Sequence, residues 1–451
     1  MFNKILIANR GEIAVRIIRA CRALGVRSVA VYSKEDAHSM HVQMADQRIC
    51  IGEGPARNHY LNADRIIAAA LNMGADAIHP GYGFLSENSS FARKCEECGI
   101  TFIGPSPDVI DRMGNKSAAR KTMMEAGVPV IPGSKEPVTD VDEAKAKAEE
   151  IGYPVMIKAS SGGGGKGMRA AMNADDFEHE FSIAQRESAN AFGDDTMYLE
   201  RLILKPRHVE VQVMGDNFGH VVALGERDCS VQRNHQKLIE ESPSPAIDDE
   251  TRSRMYQAAV LAAKTVGYTN AGTIEFIVDQ EGAFYFMEMN TRIQVEHGVT
   301  ELVTGTDLVM EQIRVAAGAE LSFPEKEIRL RGHAIECRIN AEIPEKNFMP
   351  SPGKVQHLHL PGGAGVRVDT ALYTGYIVPS DFDSMIAKVL VHAQDRQTAI
   401  MKMKAALDEM VVLGIETNLD FQYKMIQTPT FMEGRADTGF VEVFMQGGHH
   451  S

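Results

Sequence analysis

The first hundred residues alternate short apolar strands with helical stretches, and that alternation limits the chain to a few folds. Apolar runs at residues 4–8, 28–32, 76–79 and 101–104 are separated by helical patterns such as 12–24 and 63–73. Strands alternating with helices argue for a parallel, doubly wound sheet. The first strand-to-helix turn, Ala8-Asn-Arg-Gly-Glu12, lacks the three glycines of a dinucleotide fingerprint, which weakens any NAD reading. The crevice at the strand ends stays available for another ligand.

Past this region the pattern changes. Residues 106–127 read as a helix broken near Gly114, and the Pro/Gly segment 128–133 as a linker. A helix at 141–151, a strand at 154–159, a second strand at 167–172 and a helix after Asn173 form a small α+β module with the look of a lid. From residue 205 the alternation becomes antiparallel. Segments 208–214 and 220–227 flank the turn Asp216-Asn-Phe-Gly219, and 273–278 pairs with 283–289 across Asp279-Gln-Glu-Gly282. The expected units are a parallel-sheet domain (1–113), a helical linker (114–133), a lid (134–204), a core (205–330) and a C-terminal domain (331–446).

Charge narrows the partners. Sixty-one acidic and 47 basic residues give a net charge of -14, a field that repels nucleic acid and anionic membranes. No apolar run approaches the roughly 20 residues that span a bilayer. Lys4, Asn9 and Arg10 occupy the place of a leader's apolar stretch, so the cytoplasm is the expected compartment. Six cysteines show no paired framework, which fits a reducing environment. Cys95-Glu-Glu-Cys98 lies in an apparent helix with no second pair, and reads as packing thiols rather than a zinc site.

The stretch Ile157-Lys-Ala-Ser-Ser-Gly-Gly-Gly-Gly-Lys-Gly-Met168 contains a literal GxGxxG after a strand. A dinucleotide site needs a helix to open at the third glycine, but Met168-Arg-Ala-Ala-Met172 continues as a strand. A Walker A loop needs Ser or Thr after Lys166, and Gly167 stands there. Two readings remain: a flap whose bare amides close over phosphate oxygens with Lys158 reaching in, or a mobile surface hairpin.

Strand period two places Phe284, Phe286, Glu288, Asn290 and Arg292 on one face. An even turn at 279–282 brings Glu275 to the side of Glu288, directly or diagonally opposite. Two carboxylates 4 Å apart repel by about 4 kcal/mol at an effective dielectric near 20, so a cation belongs between them. Hard oxygens with Asn290 beside them suit Mg²⁺; neutralisation by Arg292 or a lysine is the plainer alternative. In 208–213 three valines face one way and His208, Glu210 and Gln212 the other, the pattern of a half-exposed strand. Gln232, His235 and Lys237 gather donors within six residues, which suggests an anionic second substrate. Met401-Lys-Met403 has the look of a biotin attachment tripeptide, but Ile400, Met403, Leu407, Met410 and Val411 recur at helical spacing, so these methionines read as core.

Taken together, Ala8-Asn-Arg-Gly-Glu-Ile-Ala14, His79-Pro-Gly-Tyr-Gly-Phe-Leu-Ser-Glu-Asn88, 161–168, Glu226-Arg-Asp-Cys-Ser-Val-Gln232, Glu288-Met-Asn-Thr-Arg-Ile-Gln-Val-Glu-His297 and Arg331-Gly-His-Ala-Ile-Glu-Cys-Arg-Ile-Asn340 resemble the biotin carboxylase family from end to end. The resemblance implies an ATP-grasp fold with an N-terminal doubly wound domain, a mobile glycine-loop lid and a C-terminal antiparallel-sheet domain. It implies an enzyme that uses ATP with Mg²⁺ or Mn²⁺ to activate bicarbonate as carboxyphosphate and carboxylates N1' of biotin on a separate carrier protein.

It also implies roles. Lys116, Lys158 and the amides of Gly163, Gly164 and Gly165 resemble the phosphate cradle of ATP. His208, Gln232 and His235 resemble ribose or phosphate contacts, and Glu200 to Ile203 the adenine edge. Glu275 and Glu288 would hold the metal beside Asn290. Bicarbonate would rest on Lys237, Arg292, Gln294 and the amide of Val295, with Glu296 as general base. Arg338 would stabilise the biotin enolate, and Tyr82 would border the biotin pocket.

Gly298 departs from the family's usual proline, which frees the backbone beside Glu296 and His297. The chain carries no carrier or carboxyltransferase domain, so it is expected to work as one subunit of a larger enzyme. Carrier and carboxyltransferase partners would complete an acetyl-CoA carboxylase of fatty acid synthesis, or a pyruvate, propionyl-CoA or 2-oxoglutarate carboxylase. A homodimer is implied by the family. The rivals are a different ATP-grasp ligase, which Lys237, Arg292, Glu296 and Arg338 argue against, and a noncatalytic ATP-binding regulatory protein.

Overall fold

The computed structural model describes residues 1–134, 136–159, 168–192, 194–323 and 328–447. Five parallel strands open the chain: β1 (Lys4–Ile7), β2 (Arg27–Ser33), β3 (Gln47–Gly52), β4 (Ala77–His79) and β5 (Thr101–Phe102), in the order β3-β2-β1-β4-β5. Four of them coincide with the apolar runs of the sequence. The fifth, β3, lies at the sheet edge and alternates Gln47, Arg48 and Cys50 with isoleucines, so no apolar run marks it. Helix Gly11–Ala23 buries Ile13, Ile17 and Ile18 against this sheet at helical spacing.

The expected break near Gly114 is real: helix Pro107–Gly114 gives way to Lys116–Glu125, with the Asn115 side chain capping the second. The lid follows as β6 (Val155–Ala159), β7 (Met168–Ala171) and β8 (Met197–Arg201), antiparallel in the order β7-β6-β8. Helices Val141–Ile151 and Ala174–Phe192 pack on it, and Phe177 and Phe181 fill its core. Gly163, Gly164 and Gly165, expected to cradle phosphate, lie outside the described residues.

The rest is built on one antiparallel sheet of eight strands. These are β9 (Arg207–Gly215), β10 (Val221–Arg233), β11 (Gln236–Ser242), β12 (Asn270–Val278), β13 (Phe284–Asn290), β14 (His333–Asn340) and the strands Val366–Thr370 and Met385–Ala393. The order is β13-β12-β9-β10-β11-β14, then Met385–Ala393, then Val366–Thr370. Its apolar face carries Val209, Val211, Val213 and Ile274 under helix Asp249–Val266, and Ile335, Cys337 and Val389 under helix Arg396–Glu409. Each fully buried valine contributes roughly 1.5–3 kcal/mol. Lys402 lies on that last helix and donates to the carbonyls of Ala364 and His392, as the helical spacing of its neighbours requires.

Candidate active site

The opposite face of the sheet carries charge in register. Glu288 pairs with Glu275, Glu275 with Glu210, and Glu210 with Arg227 across β13, β12, β9 and β10. Further along, Glu240 pairs with Glu336, and Arg338 pairs with Lys388, which pairs with Asp369. Direct antiparallel partners point to the same side at about 4.5–5.5 Å, so the sheet presents a charged band to which all eight strands contribute.

The expected single face of Phe284, Phe286, Glu288 and Asn290 is corrected by the register. Glu275 faces Glu288 while Phe276 faces Phe286, which leaves Met287 as an extra residue. This bulge switches the alternation: Phe284, Phe286 and Met289 enter the core, and Glu288 and Asn290 turn to the charged side. The half-exposed reading of β9 is also corrected, because Glu210 and Gln212 are wholly buried. Their burial is tolerated because Arg227, itself fully buried, donates to Glu210 at 2.6 Å, Gln212 at 2.7 Å, Gln294 at 2.7 Å, Thr300 at 2.9 Å and Thr273 at 3.0 Å. Beyond its place in the 226–232 motif, Arg227 carries no local signal of this role.

Lys237 joins three carboxylates, at 2.6 Å to Glu210, 3.2 Å to Glu275 and 2.6 Å to Glu296. Glu275 also accepts from Asn290 at 2.7 Å and Gln294 at 2.8 Å, and His208 Nε2 stands 3.1 Å from it. Arg338 forks between Glu240 at 2.5 Å and Glu296 at 2.8 Å. Arg292 donates to Glu87 at 2.8 Å and to Asn290 at 2.9 Å, so the parallel-sheet domain reaches into the site. Tyr82 follows Gly81, which takes a left-handed φ of 63° and packs so closely on Asn9 that a Cβ would stand 3.0 Å from its Nδ2. The Tyr82 hydroxyl donates to Glu12.

Tyr82, Lys237, Arg292, Val295 and Arg338 line one cavity of about 540 Å³. Glu296 is bonded to two of them and occupies the N-cap position of helix His297–Thr304, whose positive end favours an anion there. A larger hollow of about 860 Å³ opens beside Arg207 and Phe440, and none of the expected site residues lines it.

The residues expected to meet the nucleotide are spread along the sheet and the three-stranded unit β6–β8. Lys116, well exposed, pairs with Glu288 at 2.7 Å. Lys158 donates to Glu200 on the neighbouring lid strand, and Arg120 stands 3.8 Å from the same carboxylate. Ile203 follows β8 half-buried. Gln232 and His235 sit at the tip of the β10–β11 hairpin, where Asn234 and His235 both take left-handed φ values, the mark of a tight two-residue turn.

Burial pushes the Glu296 carboxyl up, but Lys237, Arg338 and Arg227 outweigh it and hold the group well below the usual carboxylate range. Glu275 is likewise buried and is held down by Lys237 and His208. Burial acts to lower Lys237, and the surrounding anionic groups keep it charged. Oxygen donors on adjacent strands fit a hard divalent cation. In this structure separate ammonium groups compensate the two carboxylates, Lys237 at Glu275 and Lys116 at Glu288. Among the described residues, the ligand atoms that cluster within 4.8 Å are those of His208, Glu210 and Glu275, and of Glu210, Cys229 and Glu296; Glu288 stands outside both groups.

A small three-stranded lid beside a sheet bearing in-register carboxylates and buried cations defines an ATP-dependent ligase of the ATP-grasp class. Family models agree: "Biotin carboxylase, N-terminal domain" matches residues 1–110, "Carbamoyl-phosphate synthase L chain, ATP binding domain" matches 115–323, and "Biotin carboxylase C-terminal domain" matches 336–443. Biotin carboxylase 1 of Bacillus subtilis is 57% identical over 98% of this chain and 99% of its own. A pyruvate carboxylase subunit of Methanothermobacter thermautotrophicus is 53% identical over 99% of this chain and 91% of its own. The biotin carboxylase domain dimer of Hydrogenobacter thermophilus 2-oxoglutarate carboxylase, solved with MgADP, ADP and bicarbonate, superposes with a TM-score of 0.89 at 48% identity, covering 100% of this chain and 99% of that one. The chain belongs to the biotin carboxylase family, whose enzymes use ATP, Mg²⁺ and biotin.

Gly298 has a reason other than backbone freedom. It is the second residue of helix His297–Thr304, and a Cβ there would stand 2.4 Å from Leu390 Cδ2 and 3.4 Å from Glu336 Oε2. Leu390 fills the space that a larger residue at 298 needs. Gly298→Ala is therefore expected to lower stability by about 1–3 kcal/mol, the usual cost of overpacking. In urea titrations Leu390→Val should recover part of that loss; strictly additive costs would show that Leu390 is not the obstacle.

Proposed function

We propose that this enzyme carboxylates N1' of biotin on a separate carrier protein, through carboxyphosphate, in the cavity between Tyr82 and Arg338. The reading rests chiefly on one observation: Lys237, Glu296 and Arg338 form a chain at 2.6 and 2.8 Å beside a single cavity. Bicarbonate sits on Lys237, Arg292, Gln294 and the amide of Val295. Glu296, kept ionised by its three cationic neighbours, takes the bicarbonate proton, and the freed oxygen attacks the γ-phosphorus of ATP. ADP leaves, and carboxyphosphate divides into CO₂ and phosphate.

Phosphate accepts the N1' proton of biotin, Arg338 holds the resulting enolate oxygen, and N1' bonds to CO₂. Lys116, Lys158, His208, Gln232 and His235 hold the ATP phosphates and ribose, the amides of Gly163 to Gly165, outside the described residues, are assigned to the same phosphates, and Glu200 to Ile203 to the adenine. Glu275, Glu288 and Asn290 would hold Mg²⁺, which supplies charge neutralisation to the phosphates.

The holoenzyme we favour is an acetyl-CoA carboxylase of fatty acid synthesis in the cytoplasm, with this chain as a homodimeric component beside carrier and carboxyltransferase subunits. Its high identity to a bacterial biotin carboxylase supports this, while the relative in a pyruvate carboxylase names the alternative. The decisive measurement is ADP release with and without bicarbonate and free biotin. Release should require bicarbonate and rise with biotin; equal rates in all mixtures would defeat the assignment.

A further inference from the structure

Two carboxyl groups that the proposed reaction leaves unused lie in the middle of the charged band. Glu240 of β11 and Glu336 of β14 are direct strand partners, and neither is exposed. Glu240 Oε1 accepts from Arg338, but its Oε2 and both oxygens of Glu336 have no hydrogen-bond partner among the described residues. An ionised carboxylate is acceptor-only and requires donors when buried, whereas a protonated one carries its own.

The charges around them do not supply those donors. Lys388, on the strand Met385–Ala393, stands 4.0 Å from Glu336 but donates to the Val295 carbonyl at 2.5 Å and faces Glu12 at 3.6 Å and Asp369 at 3.8 Å. Arg338 on β14 divides between Glu240 and Glu296, Lys237 on β11 between Glu210, Glu275 and Glu296. Helix His297–Thr304 turns toward Glu336 its Gly298, which brings no side-chain donor, and the Nδ1 of its His297 contacts the Gln294 carbonyl. Two like groups side by side in such a place cannot both ionise cheaply.

We propose that Glu240 and Glu336 share one proton at neutral pH, and that this proton sets how much of the Arg338 charge is free for the enolate oxygen of biotin. Arg338 favours ionised Glu240, so the proton resides on Glu336. Burial pushes Glu240 up to about 7, and burial with the Glu240 charge pushes Glu336 well above the usual carboxylate range. When the proton leaves at alkaline pH, a second negative charge appears beside Arg338 and competes with substrate for the guanidinium. Glu336 is thus a positioning residue that acts through Arg338. The coupling to activity rests on the proposed role of Arg338 in biotin carboxylation.

Glu336→Gln in the full chain mimics the protonated group in size and neutrality. In the wild type, kcat/KM for free biotin should fall on the alkaline side through a rising KM. In the variant this limb should disappear, with neutral-pH activity close to wild type. An infrared carboxyl C=O stretch should be present in the wild type at neutral pH and missing in the variant. Titrating that stretch in the wild type keeps the test independent of how the variant folds: it should fade over the pH range where kcat/KM falls. Unchanged pH profiles would overturn the coupling to Arg338, and absence of the stretch would overturn the shared proton. The infrared result stands apart from any failure of the biotin reading.

Discussion

Replacing Glu296 by Gln should lower bicarbonate-dependent ADP release by roughly 10²- to 10⁴-fold, the usual contribution of a positioned general base. Gln fills the same volume and keeps an oxygen for Lys237 or Arg338, so the loss reports proton transfer rather than collapse of the site. Steady-state ADP release measures the effect, and a wild-type circular dichroism spectrum with a cooperative unfolding transition certifies the fold. A variant that keeps more than a tenth of wild-type turnover would remove Glu296 from the role. Because its pKa is held below the ordinary value of 4.5, Glu296 is ionised throughout the neutral range. An acid-side fall in activity near neutrality therefore belongs to another group. The same shift has a sign for stability: the stabilising contribution is full above pH 4.5 and is lost as pH drops through the folded value below it.

Arg338→Gln should separate the two half-reactions. Carboxylation of free biotin is expected to fall by roughly 10²- to 10³-fold, the cost of removing one oxyanion donor. Bicarbonate-dependent ADP release without biotin should persist, because Lys237 still holds Glu296 at 2.6 Å. Arg338→Lys is no conservative change, since a single ammonium cannot reproduce the fork to both Glu240 and Glu296. Equal loss of both activities in Arg338→Gln would place Arg338 with the bicarbonate step instead.

The parts of the fold that were legible carry their signals locally. Helices Ala63–Met73 and Val141–Ile151 have the bounds read from sequence, and Asn62 and Asp140 cap them by accepting from Arg65 and Glu143. The edge strand β3 has no such signal, and the end of β10, read as residue 227, runs on to Arg233 because pairing with β11 carries it there. The approach of Glu275 to Glu288 followed from strand period and turn length, yet the bulge at Met287 inverted the aromatic half of that face. Only packing shows it. The roles proposed for Lys237 and Arg338 came from the family resemblance, since neither spacing nor pattern reveals that residues 237, 296 and 338 meet. Lys388 and Glu240 escaped notice for the same reason: their partners lie far away in sequence, in strands whose register no short motif encodes.

The family models part the chain between residues 323 and 336, but the hydrogen bonds do not. Ile239 of β11 pairs with Cys337 of β14, so the strands bearing Glu275 and Glu288 and the strand bearing Arg338 are laths of a single hydrogen-bonded board. The spacing between those acids and that arginine is therefore set by the register of the sheet itself. Severing the chain at the family boundary would instead strip β11 of its neighbour and bare a raw edge.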